Sequence, residues 1–388
     1  MLQTSLGVSR LLAHPGDRRL CLLDPPATVL WDLHARGLDA AALAELLVAR
    51  FGLATTTARA QVEGLIAGWR QAGLLDAGAV TPEWWLGDPT IPALPPPRPS
   101  PAPTRAWRVH VADRAVSLGC DDPAFARTFS HWLTPSWGQP AVAGSVDHRL
   151  HLYGTSRAWW LDLDEVTLAA GSVPDEALVA TLRALVELGC RPAERLIVLH
   201  GAGLVTLNER GLLLIAPGGS GKTTLAAALD IAGYGLLSDD VVPVTPDGKL
   251  LGLGLPLCLK SGSWPVLAAH RPDLDQAPVI QRYGQMVRFL PPHTPVPARS
   301  VTPAWLLLTR YQPGTRPQAT PVTPEQALQG ILTAEAVLRD LTQAKLEALA
   351  HWVSIIPAYT LAYPDIDSGL ALVQATLMPS HRSLNLPA

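Results

Sequence analysis

The sequence predicts an α/β fold in two parts, in which a small α+β domain of winged-helix type precedes a larger α/β domain. Residues 212–215 form a short apolar run, typical of a strand buried on both faces, and a glycine-rich turn and a helical segment follow it. Nine prolines lie between residues 82 and 103, which favours an extended, semi-rigid connector. We therefore expect residues 1–78 to form the first domain, 79–104 a linker and 105–380 the α/β domain.

The glycine-rich turn reads Ala-Pro-Gly-Gly-Ser-Gly-Lys-Thr-Thr and is typical of a phosphate-binding loop, with Ala216 in place of the usual first glycine. Its glycines allow backbone N–H groups to turn inward around an anion. Lys222 is predicted to reach the outer phosphates of ATP, and the Thr223 hydroxyl to bind Mg²⁺. The helix that follows places its positive end towards the phosphates. The predicted nucleotide-binding residues of this turn are Pro217, Gly218, Gly219, Ser220, Gly221, Lys222, Thr223 and Thr224.

Two adjacent carboxylates, Asp239 and Asp240, follow Lys222 by only seventeen residues. They belong to a predicted strand at 236–242, which one crossover would bring close to the loop. One carboxylate could bind magnesium while its neighbour takes a proton from an attacking hydroxyl. Successive strand residues point to opposite faces, so the two side chains should not share one role. This spacing favours a kinase over other nucleotide-binding proteins.

His200 is a third candidate because it lies in a predicted strand just before the loop strand. A tight turn at 208–211 predicts a hairpin, which could place His200 near the mouth of the same site. A lone histidine in an apolar strand is more often a structural residue. Both interpretations remain open on the spacing alone.

The run from His200-Gly-Ala through the loop to Ser238-Asp-Asp-Val resembles the catalytic core of the HPr kinase/phosphorylase family. This resemblance implies that Asp239 is the general base, that His200 supports it, and that Asp240 assists the metal. It implies ATP as the phosphoryl donor and Mg²⁺ as the metal. The family's downstream signature for the reverse, phosphorylase reaction is not evident in this sequence.

A lysine-containing segment further along is similar to one in the same family. It provides Lys260, which the resemblance assigns to the nucleotide site, and a nearby segment provides Arg282 and Arg288. A transferring phosphoryl group needs cationic help, which such side chains supply. Solvated surface charge is the ordinary role of lysine and arginine, and it stays open for these three.

The first 78 residues read as a hairpin followed by three helices. Asp24 with Pro25 predicts a helix start, Asp39 predicts a second, and apolar residues at helical spacing between 62 and 69 predict a third. This order is typical of a winged helix. DNA binding is not expected, because four arginines and four acidic residues balance between 27 and 75.

This segment resembles PqqD, a family of small chaperones that present precursor peptides to modifying enzymes. Residues 22–33, 43–51 and 65–75 carry the resemblance. It implies that a peptide or protein substrate, such as a ribosomally made precursor peptide, is captured as an added strand. The alternative is a domain that only packs against the rest of the chain.

Composition limits the remaining function classes. A net charge of −3 over 388 residues predicts no general affinity for nucleic acid or anionic membranes. The four cysteines form no metal-spaced cluster, and no apolar run is long enough to span a membrane. We expect a cytoplasmic, ATP-dependent kinase of a Ser/Thr hydroxyl, with the possibility of a homo-oligomer left open. The alternatives are an ATP-binding peptide chaperone that transfers no phosphoryl group, and a kinase of a small-molecule hydroxyl.

Overall fold

The protein has a mixed α/β fold with several sheets, which confirms the predicted fold class at this level. The computed structural model describes residues 1–14, 20–72, 74–75, 102–132, 139–140, 145–155, 157–294, 296 and 300–377. Residues 79–101 of the predicted linker lie outside the described residues. Throughout the described ranges, no helix is long and apolar enough to cross a membrane.

The chain divides into two compact units. The first consists of the described residues up to 82 together with Thr323–Gln329 and Leu338–Ile355, and the second contains the rest. In the first unit, a sheet of strand order β1-β2-β3 shares an apolar core with three helices. The elements are β1 Leu2–Leu6, β2 Ser9–Ala13, β3 Leu20–Leu23, α1 Pro25–Ala35, α2 Ala40–Phe51 and α3 Thr55–Gln71.

The starts of the first two helices follow from side-chain caps. The Asp24 carboxylate accepts the Ala27 N–H at 2.9 Å, and the Asp39 carboxylate accepts the Ala42 N–H at 2.9 Å. Each cap satisfies a donor that the first helical turn would leave unpaired. Both predicted helix starts are therefore confirmed, whereas the strand β1 was not predicted.

The second unit begins with a sheet of strand order β6-β4-β5-β7-β8-β9. Helices α4 and α5 contribute to its apolar core. These elements are β4 Arg105–Val111, β5 Arg114–Cys120, α4 Pro123–Trp132, β6 Gln139–Pro140, β7 His148–Thr155, β8 Ala158–Leu163, β9 Val166–Gly171 and α5 Pro174–Cys190.

The remaining elements include the sheet that carries the candidate site, and one of them, α9 Gln343–Ile355, belongs to the first unit. Its strand order is β18-β14-β13-β10-β11-β19-β21-β20, with β12 also paired to β10, and a separate sheet has the order β15-β17-β16. Strands β11, β19 and β21 run parallel, whereas β10 is antiparallel to β11. The elements are β10 Ile197–Val205, β11 Gly211–Ile215, α6 Lys222–Ile231, β12 Gly235–Ser238, β13 Val241–Val244, β14 Leu250–Leu251, β15 Leu257–Lys260, α7 Trp264–Leu267, β16 Val279–Arg282, β17 Gln285–Leu290, β18 Ser300–Val301, β19 Pro303–Tyr311, β20 Gln318–Pro321, α8 Pro324–Thr333, α9 Gln343–Ile355, β21 Ala358–Tyr363 and α10 Ile366–Leu377.

The acidic pair interrupts the strand that was predicted at 236–242, so that prediction is wrong in detail. Strands β12 and β13 end and begin on either side of the pair, and both are antiparallel to β10. Asp240 has a φ of 72°, in the left-handed region that breaks a strand. Its carbonyl accepts the Gly201 N–H at 3.2 Å, which keeps the interruption attached to β10. The pair therefore forms a kink in the middle of the sheet.

Within the first unit, α9 covers the outer edge of β1. The side-chain amide of Gln343 accepts the Gln3 N–H at 3.2 Å and donates to the Gln3 carbonyl at 2.7 Å. The Glu325 carboxylate accepts the Val8 N–H at 3.0 Å. Side chains near the C-terminal end of the chain therefore take the place of a neighbouring strand beside β1.

Candidate active site

A cavity of about 460 Å³ in the second unit collects the predicted site residues. It lies where the turn after β11 meets the acidic pair and the end of β15. The predicted residues on its wall are His200, Pro217, Gly218, Gly219, Ser220, Gly221, Lys222, Thr223, Thr224, Asp239, Asp240 and Lys260. Residues separated by up to 60 positions in sequence thus share one cavity.

The glycine-rich loop, residues 216–221, joins β11 directly to α6. Gly219 and Gly221 have φ values of 80° and 83°, which most side chains do not tolerate. A Cβ on Gly218 or Gly219 would meet no atom within 4 Å, so the loop borders open space there. No side chain of the described residues caps the start of α6, and the first N–H groups of a helix have no partner within the helix. Such a helix start favours an anion.

Lys222 is a buried cation at the start of α6, with 6% of its surface exposed. Burial lowers the pKa of this amine, and the charges of Asp239 and Asp240 oppose that shift. The next residue, Thr223, donates its hydroxyl to the Asp239 carboxylate at 3.1 Å. The Thr224 hydroxyl lies 2.8 Å from the Ser263 hydroxyl. Side-chain contacts therefore connect the start of α6 to the acidic pair and to the segment after β15.

Asp239 is the buried member of the acidic pair. One of its carboxylate oxygens accepts from Thr223, and the other accepts the Cys258 N–H at 3.2 Å. Burial, reinforced by the charge of Asp240, raises the pKa of Asp239 to about 6 against the opposing effect of Lys222. An additional cation nearby would stabilise this carboxylate.

Asp240 has a different environment, with 40% of its side chain exposed. Its carboxylate lies 3.5 Å from His200 Nε2 and accepts from Arg282 Nη2 at 3.1 Å. Burial acts to raise its pKa, but the charge of Arg282 and then that of His200 bring the pKa below its ordinary value. Burial, and then the charge of Lys222, lower the pKa of His200. Asp240 is thus an ionised carboxylate held by Arg282.

Several further cavity residues were not predicted, and four of them come from late in the chain. Tyr311 ends β19, Tyr363 ends β21, and Asp365 and Ile366 lie where α10 begins. The Tyr363 hydroxyl is buried and has no hydrogen-bond partner among the described residues. It lies 3.6 Å from the position that a Cβ on Gly221 would take. A buried hydroxyl without a partner beside the loop leaves one hydrogen bond for a bound group.

Magnesium fits the oxygen atoms at this site. Mg²⁺ takes oxygen ligands and is commonly held by one or two carboxylates together with substrate phosphates. Thr223 and Asp239 place two such oxygens 3.1 Å apart. Within the described parts of the chain, no group of three or more His, Cys, Asp or Glu could hold a metal ion. The donors suit a metal shared with a nucleotide better than a metal enclosed by protein alone.

Part of the chain is similar to a solved kinase structure. The match is to the HPr(Ser) kinase/phosphatase from Coxiella burnetii, at 16% identity and a TM-score of 0.23, and covers 46% of this chain and 95% of that chain. No protein-family model matches the chain, and no curated protein does. A likeness this weak shows nothing about activity, which therefore rests on the residues of the cavity.

Proposed function

We propose that this protein is an ATP-dependent kinase that phosphorylates a Ser or Thr hydroxyl of a peptide or protein. The observation that supports this most is the hydrogen bond from Thr223 to Asp239. It joins the start of the helix after a glycine-rich loop to a pair of carboxylates in one cavity. A loop that holds phosphates and a carboxylate that receives a proton are the two parts a kinase needs.

In this mechanism the glycine-rich loop and Lys222 hold the outer phosphates of ATP. Bound magnesium would neutralise phosphate charge there, held by Thr223 and a carboxylate. The acceptor oxygen forms a bond to the γ-phosphorus, the bond from that phosphorus to the ADP oxygen breaks, and the acceptor proton passes to a carboxylate of the acidic pair. Lys222 and Lys260 supply positive charge beside the transferred group, both lining the same cavity.

The roles of the two carboxylates stay a prediction. The family resemblance implies that Asp239 is the base and that Asp240 assists the metal, whereas the contacts favour the reverse assignment. Asp239 bonds to Thr223, so it is the better placed of the two to hold the metal. Asp240 is more exposed and is oriented by His200 and Arg282, as expected of a group that meets an acceptor. We therefore assign the metal to Asp239 with Thr223, and proton acceptance to Asp240.

The first unit would recruit the acceptor peptide. Strand β3 lies at one side of the sheet order β1-β2-β3, and no described strand pairs with its outer edge. The opposite side is taken by Gln343. Strand addition at β3 would raise the local concentration of a tethered acceptor. This recruitment rests on the sequence resemblance together with that open edge.

Incubation of the full chain with magnesium, labelled ATP and an array of Ser- and Thr-containing peptides tests the proposal. We expect label on peptide hydroxyls. Asp240→Asn should reduce transfer by about 100-fold or more while leaving ATP affinity within about threefold, since general-base catalysis contributes about 10²–10⁴-fold. Asp239→Asn should also reduce transfer, and it should raise the magnesium concentration at which transfer is half-maximal.

A matched control is Asp247→Asn, because Asp247 lies in an exposed turn after β13 and does not line the cavity. It should leave transfer unchanged. Tight ATP binding without label on any peptide would contradict the kinase and favour a presentation chaperone. Loss of transfer in Asp239→Asn but not in Asp240→Asn would restore the roles that the resemblance implies.

A further inference from the structure

A second, smaller cavity also borders the acidic pair, and no residue of the glycine-rich loop lines it. Its volume is about 70 Å³, and it shares four wall residues with the large cavity. The shared residues are Asp239, Asp240, Cys258 and Arg282. The two carboxylates therefore border both a large cavity with the glycine-rich loop and a small one without it. In-line phosphoryl transfer requires the attacking and leaving oxygens on opposite sides of the phosphorus.

The rest of the small cavity is largely apolar. Helix α5 contributes Val179, Leu182 and Val186, and Leu255 and Phe289 also line the cavity. Arg183 also lines it, and its guanidinium pairs with Glu187 at 3.2 Å. One water molecule occupies about 10–15 Å³ on the same measure, so the cavity holds a group of a few heavy atoms. Its chemistry suits a small aliphatic group better than a sugar or a charged side chain.

A strained turn stands beside this cavity. Tyr283 and Gly284 form the two-residue turn between β16 and β17, with φ values of 48° and 75°. Such a turn normally takes Asn-Gly, and a tyrosine in the left-handed region costs about 1–2 kcal/mol. The Tyr283 side chain is nevertheless 70% exposed, lines the small cavity, and lies 5.4 Å from the Arg282 guanidinium. A strained, exposed aromatic residue beside a cavity supports the hypothesis of a ligand contact at that position.

We propose that the small cavity is the acceptor site of the kinase and that it takes a small aliphatic group next to the phosphorylated hydroxyl. This proposal rests on the proposed function. The aliphatic group would lie between α5 and Phe289, with Tyr283 covering it at the surface. The hydroxyl would then meet Asp240 and Arg282 from the cavity that the glycine-rich loop does not line. Peptides with serine next to valine or alanine are preferred to those with aspartate or lysine there.

The test compares short peptides with a central serine whose neighbour is alanine, valine, aspartate or lysine. In the wild type, kcat/KM for the valine peptide should exceed that for the aspartate peptide by about tenfold or more. Leu182→Trp fills the cavity and should abolish this preference. Tyr283→Asn removes the ring, so it should lower kcat/KM for the valine peptide by about tenfold with an unchanged KM for ATP.

Tyr283→Asn also separates a binding role from a structural one. Asparagine adopts the left-handed conformation more readily, so the thermal unfolding temperature should stay the same or rise. The matched control is Glu165→Asn, which makes a similar change at a φ of 72° in the turn between β8 and β9. Glu165 lines neither cavity, and this control should leave peptide kinetics unchanged.

A binding measurement keeps the acceptor site distinct from the catalytic proposal. The probe is a fluorescent peptide with alanine in place of the serine and valine as its neighbour, added with ADP and followed by anisotropy. Weaker binding in Tyr283→Asn and Leu182→Trp, without any transfer by the wild type, would support the site and overturn the kinase. Equal binding, or equal peptide preference, in both variants and the wild type would overturn the acceptor site.

Discussion

The two compact units bury different kinds of side chain. In the first unit, the described buried residues are apolar, as Leu43 and Trp69 illustrate. The second unit also buries charge, including Lys222, Asp239 and Asp230. Buried charge destabilises a fold unless hydrogen bonds or ions compensate it, so it is retained mainly where it serves a purpose. Among the described residues, the first unit buries only apolar side chains, whereas the second also buries charge at some cost to stability.

Within the second unit, the buried charged residues differ in whether they line the large cavity. Asp230 accepts the backbone N–H groups of His293 and Thr294 at 2.6 and 2.8 Å, and it does not line the large cavity. Lys222 and Asp239 do line it. Buried charge therefore marks the candidate site only where it also lines the cavity.

The largest expected effect is that of Lys222→Met. Loss of the cation beside the loop should reduce phosphoryl transfer by about 100- to 1000-fold, the range for removal of one stabilising group at a developing charge. Because the amine is buried, stability should be unchanged or higher. Steady-state transfer and thermal unfolding measure the two quantities. A variant that loses activity because it unfolds would contradict this distinction.

Next in size is Leu43→Ala in the apolar core of the first unit. Leu43 is fully buried, so truncation should lower the free energy of unfolding by about 3 kcal/mol through lost burial and a cavity. Urea denaturation of the full chain measures this. The ATP affinity of the folded protein should not change, and a large loss of ATP affinity would show that the first unit contributes to the nucleotide site.

Asp239→Asn should stabilise the metal-free protein by about 1–3 kcal/mol at pH 7.5, because a pKa shift of one unit corresponds to about 1.4 kcal/mol. The pKa of Asp239 rises from an ordinary value of 3.8 to about 6 on folding. The folded state then binds the proton more tightly, so stability falls as pH rises between about 4 and 6, and the cost is complete above that range.

Denaturation with a chelator present at pH 4, 5, 6 and 7.5 tests whether stability falls as pH rises. The wild type should lose stability relative to Asp239→Asn across that range. A difference that is independent of pH would show that the carboxylate is not the source of the cost.

The smallest expected effect is that of Asp39→Ala at the start of α2. The lost cap should lower the free energy of unfolding by about 1 kcal/mol, since it leaves a helical N–H without its partner. Asp39→Asn keeps an acceptor oxygen and should recover most of the stability. If Asp39→Asn and Asp39→Ala lose equal stability, the hydrogen bond is not the source of the effect.

Much of the candidate site could be predicted because its chemistry is local in sequence. The loop from Pro217 to Thr224 and the carboxylates Asp239 and Asp240 lie within one strand, helix and strand, so spacing alone brings them together. Tyr311 and Tyr363 reach the cavity only through the parallel pairing of β11, β19 and β21. No short sequence pattern predicts that strands more than a hundred residues apart will lie in one sheet.

Two further features escaped the sequence for physical reasons. The apolar run on both sides of Asp239 and Asp240 is typical of one strand, and only the structure shows the kink, in the φ of Asp240 and in the separate pairing of β12 and β13 with β10. The pairing of Gln3 with Gln343 joins residues near opposite ends of the chain. A side chain that substitutes for a strand leaves no periodic signal.

The link between Gln3 and Gln343 has a consequence for synthesis on the ribosome. At a synthesis rate of about 5–20 residues per second, β1 leaves the ribosome on the order of 20 to 70 s before Gln343 has been made. During that interval the unpaired backbone groups of this edge can pair with a strand of another chain. Fragments that end before residue 323 keep this edge open permanently. A nascent chain of this protein therefore has an exposed strand edge until residues of α8 and α9 cover it.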